Sequence, residues 1–151
     1  MFKRSARVLL VEDNRGLRQT LADILRVTGM KVDTAPDASD AFRMLARSQY
    51  DVAIVDLVLL PGPSGIDVIR QLKSSSPTTR VFVCTAITRG ELLVDVQALG
   101  VDKVIFKPVD PGMLIKLIEQ SAGPAPGEKS QTPDPKSATP SSKARNQRDR
   151  I

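Results

Sequence analysis

Polar side chains that could react or bind a metal follow the apolar runs of this sequence. They are Glu12 and Asp13 after residues 8–11, Asp56 after residues 52–55, Thr85 at the end of 81–85, and Lys107 after 101–106. A run such as that before Asp56 is typical of a strand buried on both faces, where an ionised carboxylate needs a partner. Because open α/β sheets bind ligands at the carboxyl ends of their strands, we expect these side chains to form one site.

The residue types in this set fit phosphoryl chemistry. Three carboxylates placed together repel one another unless a cation lies among them. Oxygen ligands without histidine or paired cysteine favour Mg²⁺ as that cation. Asp56 could then act as a nucleophile towards a phosphoryl group and form an aspartyl phosphate. The hydroxyl of Thr85 and the ammonium of Lys107 could each contact a phosphoryl oxygen and stabilise the transition state.

The composition excludes several classes of enzyme and says little about nucleic acids. The 151 residues include no histidine and one cysteine, Cys84, which excludes Ser-His-Asp and Cys-His mechanisms and an internal disulfide. We interpret Cys84 as a small buried residue of a strand. Of the net charge of +5, +3 comes from residues 122–151, which hold six basic and three acidic residues. The basic balance is therefore weak evidence for nucleic-acid binding.

Apolar periodicity predicts five strands that alternate with five helices. The strands are expected at residues 8–11, 31–35, 51–56, 81–85 and 101–106, with the second near a sheet edge. Gly29 is predicted to end the first helix and Asp37 to cap the second. The spacing of Thr88 and Glu91 predicts a capping box before the fourth helix. This alternation indicates an α/β fold, a doubly wound parallel sheet covered on both faces.

The composition changes after residue 121. Proline, serine and lysine replace the apolar pattern, so residues 122–151 are predicted to be a disordered tail after a domain spanning residues 5–121. A DNA-binding output domain would need another helical apolar pattern, so we expect a single-domain protein that acts through protein contact. No stretch is apolar enough to suggest a membrane span, and we expect a cytoplasmic location.

The chain resembles the receiver domain of bacterial two-component response regulators. The resemblance rests on residues 8–14, 51–56, 83–86 and 106–108, in that order. It implies a flavodoxin-like sheet of order 2-1-3-4-5, which is the usual strand order of that fold. It also implies that Asp56 accepts phosphate from a sensor histidine kinase or phosphotransfer protein, and that the chain is not a turnover enzyme.

The same resemblance assigns roles to the remaining site residues. Asp13 and Asp56 would bind Mg²⁺ directly and Glu12 largely through water. Lys107 would contact the phosphoryl group, and its peptide bond to Pro108 is expected to be cis. Thr85 would move towards the phosphate and alter the face formed by the fourth helix and fifth strand, biasing a two-state switch. A homodimer through the fourth helix, fifth strand and fifth helix is a further possibility.

Three features of the sequence depart from the usual receiver pattern. Pro61 and Gly65 lie five and nine residues after Asp56, so the loop there carries one extra residue. The backbone carbonyl that this loop supplies to the metal would be that of Val58. The position of the usual switch aromatic, three residues before Lys107, holds Val104, and Phe106 is the nearest aromatic residue.

The third departure concerns the lifetime of the phosphorylated state. Val58 and Ile87 occupy positions where receivers often carry polar groups that place the hydrolytic water, so we predict a long-lived phosphate. An alternative remains open, a degenerate receiver that works as a phosphorylation-independent interaction module. A haloacid-dehalogenase-type hydrolase would need an aspartate at position 58. A flavodoxin-like cofactor binder would want a Ser/Thr/Gly-rich loop where Glu12 and Asp13 stand.

Overall fold

Strands and helices alternate along the whole described part of the chain. The computed structural model describes residues 5–121. Its elements are β1 Arg7–Val11, α1 Arg15–Val27, β2 Lys31–Ala35, α2 Ala38–Arg47, β3 Val52–Val55, α3 Gly65–Ser75, β4 Arg80–Thr85, α4 Glu91–Ala98, β5 Lys103–Phe106 and α5 Pro111–Ser121. The predicted disordered tail, residues 122–151, lies outside the described residues.

The five strands form one parallel sheet. Their order is β2-β1-β3-β4-β5, which confirms the fold class and places β2 at an edge, as predicted. All four residues of β3 are buried, and side chains alternate between two cores. Leu9 and Val55 belong to the core beneath α2, α3 and α4, whereas Leu10 and Ile54 belong to the core beneath α1 and α5. Burial on both faces explains why the central strands read as continuous apolar runs.

Local signals set several helix boundaries. The side chain of Asn14 accepts a hydrogen bond from the Leu17 N–H at 2.9 Å and caps α1. Gly29 follows that helix with a φ of 96°, a left-handed conformation that glycine adopts readily. Asp37 caps α2 by accepting from the Asp40 N–H at 2.8 Å. The stop at Gly29 and the cap at Asp37 are confirmed.

The predicted start of the fourth helix was wrong. Its N-cap is Gly90, whose φ of 112° turns the chain just before Glu91, and no side chain caps the helix. Thr88 therefore lies outside the helix and does not form the expected capping box. A reciprocal arrangement is found instead at α3, where the Ser64 N–H donates to the Asp67 carboxylate at 2.9 Å.

The fifth strand begins later than predicted, at Lys103 rather than Val101. Ahead of it, the Asp102 carboxylate accepts a hydrogen bond from the Val81 N–H at 2.8 Å. The Asp102 N–H donates in return to the Val81 carbonyl at 2.9 Å, so residue 102 is already joined to β4 before β5 begins. Within residues 5–121, no helix is both long and apolar enough to cross a membrane.

Candidate functional site

The parallel register brings the ends of β1 and β3 together. Val11 pairs with Val55, and the Asp56 N–H donates to the Val11 carbonyl at 3.0 Å. Glu12 and Asp56, which follow these strands, are therefore neighbours at the carboxyl end of the sheet. On the other side, the Lys107 N–H donates to the Thr85 carbonyl at 2.8 Å, which holds the ends of β4 and β5 together.

Three carboxylates lie together at the carboxyl end of the sheet. Glu12, Asp13 and Asp56 each have an oxygen within 4.8 Å of the others. Glu12 and Asp56 are buried, whereas Asp13 is exposed. The structure thus brings together the acidic residues predicted from the ends of two strands. Their oxygens suit a hard cation, and neither histidine nor cysteine belongs to the group.

Lys107 joins two of these acids. Its ammonium donates to Glu12 Oε1 at 2.8 Å and to Asp56 Oδ2 at 2.9 Å, which sequence reasoning did not foresee for Glu12. The side chains of Glu12 and Asp56 are only 3% and 8% exposed, so both bonds lie in a site largely shielded from water. Charge-assisted bonds of this length are stronger than those between neutral groups. The lysine is therefore part of the acidic site.

Burial and this bridge shift two pKa values. Burial raises the pKa of Glu12, although hydrogen bonds from Lys107 and the Asn14 N–H counter part of that effect. Burial alone would lower the pKa of Lys107, but its hydrogen bonds to Glu12 and Asp56 outweigh burial and raise the pKa above the ordinary lysine value. The ammonium therefore stays charged at neutral pH.

Thr85 also lies at the carboxyl end of the sheet, but its hydroxyl is hydrogen-bonded to the following loop. The residue is fully buried, and its Oγ1 accepts a hydrogen bond from the Ile87 N–H at 3.1 Å. The hydroxyl oxygen is thus bonded to the loop that follows its own strand. A move of this hydroxyl towards Asp56 would have to exchange that bond for a new one.

The loop after Asp56 is fixed at its ends and exposed in its middle. The Val58 N–H donates to Asp56 Oδ1 at 3.2 Å, and the Gly65 N–H donates to the Leu57 carbonyl at 3.0 Å. Leu57 and Leu59 are buried, but residues 60–63 are exposed. The loop is thus held against the protein near Asp56 and near Gly65, and its middle faces outward.

Two X-Pro peptide bonds near the site are cis. The bond between Lys107 and Pro108 was expected to be cis and is confirmed. The cis bond between Leu60 and Pro61 was not foreseen.

Other residues around the acids were missed as parts of the site. The Asn14 N–H donates to Glu12 Oε2 at 3.0 Å, so this residue both caps α1 and orients an acid. The guanidinium of Arg18 donates to the Glu12 carbonyl at 2.8 Å. Arg18 lies four residues after the N-cap, and helical side chains lean towards the N-terminus, a signal that could have found it.

Comparison with known proteins agrees with this geometry. The family model for the response regulator receiver domain matches residues 8–119. The chain is 36% identical over 121 residues to the two-component response regulator PhoP of Pseudomonas aeruginosa, covering 78% of this chain and 53% of that protein. The chain spans about half, or less, of the length of the curated relatives it matches.

Solved structures show the same fold. A CheY-like response regulator receiver domain protein from Methanospirillum hungatei superposes with a TM-score of 0.75 at 24% identity, covering 78% of this chain and 94% of that one. The response regulator TrrA from Thermotoga maritima, solved in complex with Mg²⁺–BeF, gives 0.68 at 23% identity, covering 77% and 98%. From the matched residues and this architecture, the chain belongs to the response regulator receiver domain family of two-component systems.

Proposed function

We propose that Asp56 accepts a phosphoryl group from the phosphohistidine of a sensor histidine kinase or phosphotransfer protein, in the presence of Mg²⁺. The observation that carries this proposal is the Lys107 ammonium held between the buried carboxylates of Glu12 and Asp56. The Lys107 ammonium beside Asp56 can stabilise the negative charge that a phosphoryl group brings to this carboxylate. Relatives of the family use this chemistry in general.

The donor set fits Mg²⁺. Glu12, Asp13 and Asp56 supply hard oxygen atoms within 4.8 Å of one another. When ionised they carry three negative charges, and Lys107 returns one positive charge, which leaves two for a divalent ion to neutralise. We assign Asp13 and Asp56 as direct ligands, Glu12 as a ligand through water, and the Val58 carbonyl as the backbone ligand. When bound, the ion supplies charge neutralisation at the carboxylates and the phosphoryl oxygens.

Phosphoryl transfer to Asp56 forms one bond to phosphorus and breaks another. A carboxylate oxygen of Asp56 forms a bond to phosphorus as the P–N bond of the donor breaks, and the electron pair of that bond goes to the imidazole nitrogen. Lys107 balances charge on a phosphoryl oxygen, and the Thr85 hydroxyl donates to another after leaving the Ile87 N–H. Asp56 is itself modified, so the chain acts as a phosphoacceptor rather than a turnover enzyme.

We assign the readout to the face formed by α4, β5 and α5. Thr85 pairs with Phe106 across β4 and β5, so a change at Thr85 is passed directly to this edge strand. Phe106, Val94 and Met113 are exposed apolar residues on these three elements, which supports contact with a downstream protein or a second copy of the chain. Val104, at the usual aromatic position, packs instead against the core.

The test of this function is direct phosphorylation. The protein is incubated with acetyl phosphate and Mg²⁺, and its intact mass is measured beside Asp56→Asn and beside wild type in EDTA. We expect one phosphoryl adduct in wild type and none in the two controls. If wild type gains no adduct while donor and metal phosphorylate another receiver in parallel, the degenerate receiver, a phosphorylation-independent interaction module, becomes the better account.

A further inference from the structure

The first residue of α3 lies unusually close to the backbone of Asp56. A Cβ atom on Gly65 would stand 1.9 Å from the Asp56 carbonyl oxygen and 2.8 Å from both its carbon and the Leu57 Cα. All three atoms belong to the main chain, so no side chain can turn aside to make room. The φ of Gly65 lies outside the left-handed region, which means that space rather than backbone conformation requires glycine here.

Glycines at comparable positions are not confined in this way. Gly16 and Gly112 are each the second residue of a helix, α1 and α5. A Cβ on these residues would meet only a side-chain oxygen, at 3.6 Å and 3.5 Å, which is ordinary van der Waals contact. The close approach at Gly65 is therefore a feature of this helix start and not of glycine near helix starts in general.

The contact constrains the reacting residue. To reach an ordinary separation of 3.4 Å, the Asp56 carbonyl and a Cβ at position 65 would have to part by about 1.5 Å. The Asp56 N–H is bonded to the Val11 carbonyl in the centre of the sheet, and α3 is held by buried Ile66 and Ile69. The strain would thus fall on the peptide that follows Asp56. Rotation of that peptide would move the Val58 N–H relative to the Asp56 carboxylate and so disturb the hydrogen bond between them.

We propose that Gly65 is a positioning residue for phosphoryl transfer, which fixes the peptide after Asp56 so that the backbone of Val58 stays beside the Asp56 carboxylate. This inference rests on the proposed function. It also explains why a longer loop is compatible with the site. The loop is held at Leu57 and Gly65, so the number of residues between them can change without moving Asp56.

The experiment compares matched glycine substitutions. Initial rates of adduct formation with acetyl phosphate and Mg²⁺ are measured for wild type, Gly65→Ala, Gly16→Ala and Gly112→Ala. A misplacement of about 1 Å can cost on the order of 100-fold in rate, so we expect Gly65→Ala to lose about 10- to 100-fold. The two control substitutions should stay within about 3-fold of wild type because their added methyl groups meet only ordinary contacts.

A second readout separates positioning from loss of stability. Ile69→Val weakens the packing of α3 while leaving Gly65 unchanged, and it should phosphorylate within about 3-fold of wild type. The Val58 amide resonance reports the hydrogen bond to Asp56 Oδ1 in the metal-free protein. We expect it to shift in Gly65→Ala but not in Ile69→Val. If Gly65→Ala is poorly folded, trimethylamine N-oxide should restore the fold but not the rate.

Several outcomes would overturn the inference. A wild-type rate in Gly65→Ala, a rate restored together with the fold, or an unshifted Val58 amide would each do so. A shortened loop offers an independent test, because deletion of Gly62 should leave the rate within a few-fold of wild type. If wild type itself forms no adduct, the proposed function fails instead.

Discussion

Neutralising Asp13 tests whether the three acids oppose one another in the metal-free protein. Asp13 has an oxygen within 4.8 Å of oxygens on Glu12 and Asp56, and Lys107 adds one positive charge to the group. Asp13 therefore faces a net surplus of one negative charge. Two unit charges about 4 Å apart interact by about 1 kcal/mol in water and about 4 kcal/mol at an effective dielectric constant of about 20. Because Asp13 is exposed, the lower value applies.

Asp13→Asn should thus raise the free energy of unfolding by about 1 kcal/mol in buffer containing EDTA. Urea-induced unfolding followed by circular dichroism measures the change. Asp95→Asn is the matched control, since it removes one exposed negative charge on α4, and it should stay within about 0.5 kcal/mol of wild type. The control separates repulsion within the site from the change in net charge.

Addition of Mg²⁺ should reverse the order of stability of wild type and Asp13→Asn. A ligand that binds only the folded state stabilises it more the further its concentration exceeds its Kd, and Asp13→Asn lacks one proposed ligand. Wild type and Asp95→Asn should therefore gain stability with Mg²⁺, and Asp13→Asn should gain much less. Destabilisation by Asp13→Asn in EDTA, or an unchanged response to Mg²⁺, would refute this reasoning.

Three further predictions concern the phosphate and two buried groups. Because Val58 and Ile87 offer no polar side chain to orient water, the purified phosphoprotein should be long-lived, and a half-life of seconds by intact mass would contradict this. Burial raises the pKa of the Cys84 thiol to about 12, so a disulfide reagent should label it only after unfolding; labelling of the native protein at neutral pH would count against that burial. Burial and the hydrogen bond from Tyr50 to Asp33 raise the pKa of the phenol from 10.0 to about 12. The raised pKa contributes stability that is complete below pH 10.0 and is lost as the pH rises through about 12. The free energy of unfolding of Tyr50→Phe, measured by urea titration, should therefore fall less than that of wild type over this range. Equal falls in the two proteins would exclude this contribution.

The sequence was sufficient for the architecture because the main signals are local. Apolar runs marked four strands and the short segment 31–35 marked the fifth, and Asp37 and Gly29 marked helix boundaries that the structure confirms. The start of α4 was misjudged because Thr88 and Glu91 have the right spacing, yet the left-handed turn at Gly90 lies between them. Such a turn changes which residue is the N-cap, and spacing alone does not report it.

That the side chains after the strand ends lie together was predicted, but their contacts were not. Strand ends identified the three acids and Lys107, because parallel strands place their carboxyl ends together. The bond from Lys107 to Glu12 joins residues 95 positions apart, and it depends on side-chain reach that no local pattern encodes. The contact of Gly65 with the Asp56 carbonyl likewise appears only once α3 has packed on the sheet.

The central claim is that the phosphoryl group resides on Asp56, and locating it tests the claim most directly. After reaction with acetyl phosphate and Mg²⁺, borohydride reduction converts an aspartyl phosphate to homoserine, which tandem mass spectrometry of peptides can place in the sequence. The account predicts homoserine at position 56 and at no other aspartate. Homoserine at position 13, or a phosphorylated protein with unmodified Asp56, would contradict it.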